Sequence, residues 1–110
     1  MDPFVVIEYR GIKYKTGVIQ GGGKKPIWND RFELEVPNMQ ERLKISCFDE
    51  DIFVHDLVGE ASVEVSLLCT IQTTRKWLPL KYEKKKSGMI LLETKYNPPL
   101  ERWPELSHNY

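Results

Sequence analysis

The feature that most constrains this chain is a hydrophobic period of two. Nearly every apolar segment is short, bounded by turn residues and interleaved with polar positions, which is the pattern of strands that bury one face. Residues 4–9 are mostly apolar, as expected of a strand covered on both faces. Arg10 and Gly11 then form a tight turn into residues 12–18, where Ile12, Tyr14, Thr16 and Val18 share one side and Lys13 and Lys15 the other. A hairpin fits that pair, because glycine accepts the positive φ that tight turns require. Residues 31–36 alternate cleanly, with Phe32, Leu34 and Val36 inward and Arg31, Glu33 and Glu35 outward. Leu43, Ile45 and Cys47 repeat the pattern, as do Ala61, Val63 and Val65; residues 77–82 and 89–96 supply two more strands. Residues 67–72 have room for one helical turn, and no segment sustains a period of 3.6.

About seven strands at near-regular spacing predict an all-β fold, an antiparallel β-sandwich. Parallel α/β architecture is excluded, because no connection is long enough for a crossover helix. A length of 110 residues fits one domain; it is expected at residues 1–99, with an irregular tail at 100–110. Sixteen basic residues balance sixteen acidic ones, so no global field draws the chain to nucleic acid. No apolar run approaches the ~20 residues of a spanning helix, and two cysteines make no disulfide scaffold. The expected setting is the cytoplasm.

The most informative segment is residues 49–56, which place four carboxylates (Asp49, Glu50, Asp51 and Asp56) on one inter-strand loop. Such crowding is unfavourable unless water, a cation or a basic partner offsets the repulsion. Two readings stand: a solvated acidic turn, or a site for a hard cation, for which calcium suits a flexible loop better than magnesium. The spacing is not that of an EF-hand. Inside the same loop sit Ile52, Phe53 and Val54, apolar where a turn is normally polar. Either they fold back on the core, or they form a tip that enters a lipid interface. Lys13 and Lys15, with Lys24 and Lys25 in the neighbouring glycine-rich loop, make a basic face that can attract anionic headgroups at ~1 kcal/mol per residue, or is simply solvated. Lys84, Lys85 and Lys86 read as a solvated loop run.

Other motifs do not carry chemistry. The Gly21-Gly22-Gly23-Lys24-Lys25-Pro26 run lacks the Ser or Thr and the following helix of a phosphate-binding loop. His55 and His108 have no neighbours suited to zinc or catalysis, and Cys47 reads as a buried, inert thiol. No nucleophile–base pair appears, so an enzyme is not expected.

Several segments resemble the calcium- and phospholipid-binding C2 domain. Asp2-Pro3-Phe4-Val5 resembles its "SDPYV" strand, and Lys13-Tyr14-Lys15-Thr16 its "K-x-K-T" strand. Lys25-Pro26-Ile27-Trp28-Asn29-Asp30 is similar to "N-P-x-W-N-E". Phe48-Asp49-Glu50-Asp51, followed by His55-Asp56-Leu57-Val58-Gly59-Glu60, resembles the "D-x-D … D-x-x-G" calcium loop. Trp77-Leu78-Pro79-Leu80 and Gly88-Met89-Ile90-Leu91-Leu92 are similar to the last two strands, so the likeness covers residues 2 to 99.

The resemblance implies an eight-stranded Greek-key sandwich that binds calcium and docks on anionic phospholipid as a peripheral membrane module. Asp2, Asp49, Asp51 and Asp56 would be calcium ligands, with the Glu50 carbonyl an addition. Ile52, Phe53 and Val54 would form the membrane-facing tip, and Lys13, Lys15, Lys24 and Lys25 the lipid-facing basic residues. The alternative is a calcium-independent protein-interaction module with a degenerate site. The family's first strand should precede Asp2 and is not seen. Without it, backbone groups and apolar surface stay uncovered, so the chain is expected to be a piece of a longer protein, or to gain cover by homodimer formation or strand exchange.

Overall fold

The computed structural model describes residues 1–23, 25–51 and 53–98. Six strands follow one another among them: β1 (Pro3–Tyr9), β2 (Ile12–Lys15), β3 (Arg42–Glu50), β4 (His55–Glu64), β5 (Thr74–Tyr82) and β6 (Lys85–Thr94), with a 3-10 turn at Val65–Leu67 between β4 and β5. The expected hairpin forms, with Tyr9 opposite Ile12 and positive φ at both Arg10 (53°) and Gly11 (78°). Two left-handed residues in a two-residue turn match the twist of the strands they join. A second turn of the same kind joins β5 to β6 at Glu83 and Lys84, so Lys85 and Lys86 open a strand where the sequence suggested a loop.

All the pairs are antiparallel, in the order β2-β1-β3-β4-β5-β6. Between β4 and β5 only Glu60 and Lys81 pair, and this narrow joint lets the β5–β6 hairpin fold over the face of the first four strands. Val5, Tyr9, Leu43, Ile45, Cys47 and Val63 meet Leu78, Leu80 and Ile90 there as one buried core. The inward positions are those that alternation assigned, because cross-strand register keeps residues of one parity on one face.

One expectation is corrected. Residues 31–36 form no strand, so among the described residues there are six strands and not seven. Their alternation survives as alternating exposure, with Leu34 and Val36 packed on the core. Alternation encodes which side chains turn inward, whereas a ladder also needs a neighbour. The proposed limit of the domain at residue 99 and the tail at 100–110 lie outside the described residues.

Candidate functional site

The acidic residues meet where β1 begins and β3 ends. Pro3 stands opposite Asp49, so Asp2 falls one step beyond, at the rim. Its amide donates to the Asp49 carboxylate at 2.8 Å, and its carbonyl accepts from the Glu50 amide at 2.9 Å. Asp49 in turn stands opposite Asp56, and Glu50 opposite His55. The turn between β3 and β4 is closed by the Asp51 amide donating to the Val54 carbonyl at 3.0 Å. Asp2, Asp49, Glu50, Asp51 and Asp56 therefore share one end of the molecule.

Like charges directly opposite one another destabilise a strand pair, and the Asp2 amide offsets part of that cost at Asp49. The glycine-rich loop has a related task. Gly21, in left-handed conformation, donates its amide to the Asp2 carboxylate at 2.7 Å, while the Gly22 amide bonds to the Ile19 carbonyl and the Ile19 amide to the Pro3 carbonyl. The run folds back to hold the start of β1. Sequence reasoning treated it only as a failed phosphate loop; three consecutive glycines so far along the chain from Asp2 carry no local signal of that partner.

The carboxylates reach the same end without enclosing a common point. Among the described residues no group of three or more His, Cys, Asp or Glu side chains lies close enough to hold a metal ion. Calcium takes six to eight oxygen ligands, backbone carbonyls and waters among them, so a calcium site at this end would need oxygens beyond these carboxylates.

The apolar tip is exposed. Phe53 is 91% exposed and Val54 56%, so neither folds back on the core; Ile52 lies outside the described residues. On the outer sheet face, Lys15 holds its ammonium over the Phe4 ring. Phe4 stacks on Phe48 at 5.3 Å and meets the His55 ring edge-on at 5.0 Å. This aromatic row ties the basic strand to the acidic end, and sequence reasoning missed it, because only the register Phe4–Phe48 brings those rings together. Lys13 lies 4.0 Å from Glu8, and Lys44 3.3 Å from Glu60. Glu8 pairs with both Lys13 and Lys44, and Glu60 with Lys81, so charges of alternating sign cross the sheet. Lys25 is exposed, and Lys24 lies outside the described residues. Cys47 is buried, as expected, and burial together with nearby Asp49 raises its thiol pKa.

The family model for the C2 domain matches residues 1–80. The chain belongs to the C2 domain family. Among solved structures, a C2 domain-containing protein from a putative elicitor-responsive gene superposes with a TM-score of 0.76 at 27% identity, over 92% of this chain and 77% of that one. A C2 domain of plant Extended Synaptotagmin 1 superposes with a TM-score of 0.67 at 23% identity, over 88% of this chain and 80% of that one, a likeness of fold. By sequence, the chain is 30% identical over 105 residues to Arrestin domain-containing protein B of Dictyostelium discoideum, covering 89% of this chain and 16% of that protein. It is 33% identical over 76 residues to Elicitor-responsive protein 1 of Oryza sativa subsp. japonica, covering 64% of this chain and 48% of that protein. The chain thus spans under half of these curated relatives. C2 domains commonly bind lipids and calcium or mediate protein interactions, and no enzyme family is indicated. No helix among the described residues is long and apolar enough to cross a membrane.

Proposed function

We propose that this C2 domain is a cytoplasmic, peripheral module that docks on anionic phospholipid. Phe53 and Val54, with Ile52, enter the interface; Lys13 and Lys15, with Lys24 and Lys25, face the headgroups. The observation that carries this reading is the exposure of Phe53 at the tip of a loop bordered by charge. Burying such a ring gains about 1.5–3 kcal/mol, and each lysine near the surface adds about 1 kcal/mol. Lys15 is held at the acidic end by Phe4, so the basic and apolar contributions can act on one bilayer.

A calcium-responsive form of this function assigns Asp49, Asp51 and Asp56, with Asp2 and the Glu50 carbonyl, as ligands. Their convergence on one end supports it. A second reading, calcium-independent protein interaction, is favoured by one specific observation: no three of the described acids surround a common point.

Co-sedimentation with vesicles of phosphatidylcholine, with and without phosphatidylserine, in calcium or in chelator, separates the three. Binding that requires the anionic lipid and falls about tenfold in Phe53→Ser supports phospholipid docking. Equal sedimentation in calcium and chelator ends the calcium-responsive form, and no sedimentation under any condition leaves the protein-interaction reading.

A further inference from the structure

The outward face of the β5–β6 hairpin is apolar where that of the neighbouring β4 is polar. β4 turns Glu60, Ser62 and Glu64 away from the core. On the hairpin, Trp77 stands opposite Leu91 and Pro79 opposite Met89, while the alternate residues Leu78, Leu80 and Ile90 enter the core. Two adjacent rungs of the outward face are therefore apolar. Trp77 is 60% exposed and Met89 44%; Pro79 is exposed and Leu91 half-buried. Apolar side chains scattered singly over a surface need no explanation, whereas a contiguous patch with a polar rim marks a docking surface.

The rim of this patch is cationic. Its next rung sets Lys81 opposite Lys86, and like charges directly opposite one another destabilise a strand pair. Among the described residues the ion pairs engage Arg10, Lys13 and Lys44, so neither lysine of the rung has one. Glu60, which pairs with Lys81 in register, holds its carboxylate 3.3 Å from Lys44. At the other end of the patch Arg75 stands opposite Glu93, and those two charges offset each other. Residues 74–95 carry seven basic residues and two acidic ones, Glu83 and Glu93, in a chain that balances sixteen of each. The hairpin is a positive surface on a protein of zero net charge.

We infer that this face docks an acidic, extended segment of a partner protein. Two of its apolar side chains rest on the Trp77–Leu91 and Pro79–Met89 rungs, and a carboxylate meets Lys81 and Lys86. Alternate residues of an extended segment are spaced as the rungs are, at about 6.6–6.8 Å. The backbone of such a segment stays solvated, as in the docking of proline-rich segments on aromatic surfaces, so no ladder is required. Tryptophan is the anchor most enriched where binding energy concentrates. A second copy of this chain is a poor occupant, because the same face on both copies sets one positive hairpin against another. A bilayer is another. β5 runs back toward the acidic end, and Trp77 lies six residues before Glu83 at its turn, roughly 20 Å along the strand. A membrane that takes the Phe53 tip leaves this face in water.

The test titrates the protein with a blocked, labelled peptide, Leu-Ser-Phe-Ser-Glu-Glu, beside a version with lysine in place of both glutamates. Binding is read by fluorescence anisotropy, and its place by NMR shifts of the Trp77 indole and the Met89 methyl. The acidic peptide is expected to move both signals and to bind at least tenfold more tightly than the lysine version. No shift at these residues, or equal binding of the two peptides, overturns the inference. Trp77→Ser is expected to weaken the acidic peptide at least tenfold, and Lys81→Gln/Lys86→Gln several-fold at low salt, each with its urea midpoint checked. Unchanged affinity in both overturns it. Phe53→Ser is expected to lower vesicle binding and to leave the peptide's affinity unchanged, so the lipid reading and this one fail separately. Vesicle binding that falls in Trp77→Ser assigns the face to the bilayer, and self-association that depends on Trp77 assigns it to a second copy; either overturns the inference.

Discussion

The Lys15 ammonium sits 4.4 Å above the centroid of the buried Phe4 ring. Phe4 also stacks on Phe48 and meets His55 edge-on, so one ring serves the basic strand and the acidic end together. An aromatic pair contributes about 0.5–1.5 kcal/mol beyond area, and an exposed cation over a ring about 0.5–1 kcal/mol. Phe4→Leu keeps most of the apolar volume and loses both, so it should destabilise by about 1–2.5 kcal/mol in urea denaturation. Lys15→Met in the Phe4→Leu background should cost less than in the wild type. Equal costs would show that the cation gains nothing from the ring.

Thr16 stands just past the end of β2 and continues the ladder with its side chain. The Val5 amide donates to the Thr16 hydroxyl at 2.9 Å, while the Thr16 amide donates to the Val5 carbonyl at 2.9 Å. Thr16 and Val5 are both buried. Thr16→Val keeps shape but strands the Val5 amide, at a cost of about 1–3 kcal/mol. Thr16→Ser keeps the acceptor and loses one methyl, about 0.8 kcal/mol. Chemical denaturation should therefore rank serine above valine; the opposite order would mean that packing outweighs the hydrogen bond.

Gly59 on β4 is fixed by close approach. A methyl group there would lie 3.0 Å from Leu80 Cβ and would clash with Ser87 Oγ. Overpacking of this kind costs about 1–3 kcal/mol, and Gly59→Ala should lose stability in that range. The Ser87 hydroxyl is the flexible half of the clash and Leu80 Cβ the rigid half, so Ser87→Ala should restore part of the loss and not all of it. Purely additive effects of the two substitutions would remove the clash as the cause.

The buried face was legible because alternation reports it directly. Cys47 and Ile45 turn inward where the spacing put them, and Gly11 marked the first hairpin by its tolerance of positive φ. The second hairpin was hidden: Glu83 and Lys84 take the same left-handed geometry without glycine or asparagine to announce it, so Lys85 and Lys86 read as loop. Residues 31–36 show the limit of the pattern from the other side, since inward and outward side chains can be specified by a segment that has no ladder neighbour among the described residues. At the acidic end, the crowding of residues 49–56 was visible locally. The position of Asp2 followed from family likeness, and its bond from Gly21 follows only from three-dimensional register.

Alkaline pH should weaken the fold through two buried protons. Burial first, and the nearby Asp49 carboxylate second, raise the Cys47 thiol above its ordinary 9.0. Burial first, and then the hydrogen bond to Glu41, raise the Tyr9 phenol above its ordinary 10.0. In both cases the folded state holds its proton more tightly than the unfolded chain. Their contribution to stability is therefore fully present below pH 9.0 and is lost as pH climbs through the ordinary values toward the raised ones. Urea midpoints should hold steady from about pH 7 to about 8.5 and then fall, because proton release is confined to the unfolded chain until the folded groups also titrate. Cys47→Ala lowers the midpoint at every pH by leaving a small cavity, but it should flatten the start of the decline. Tyr9→Phe should flatten its continuation above pH 10.0. A decline of unchanged steepness in both variants would place the alkaline loss in other groups.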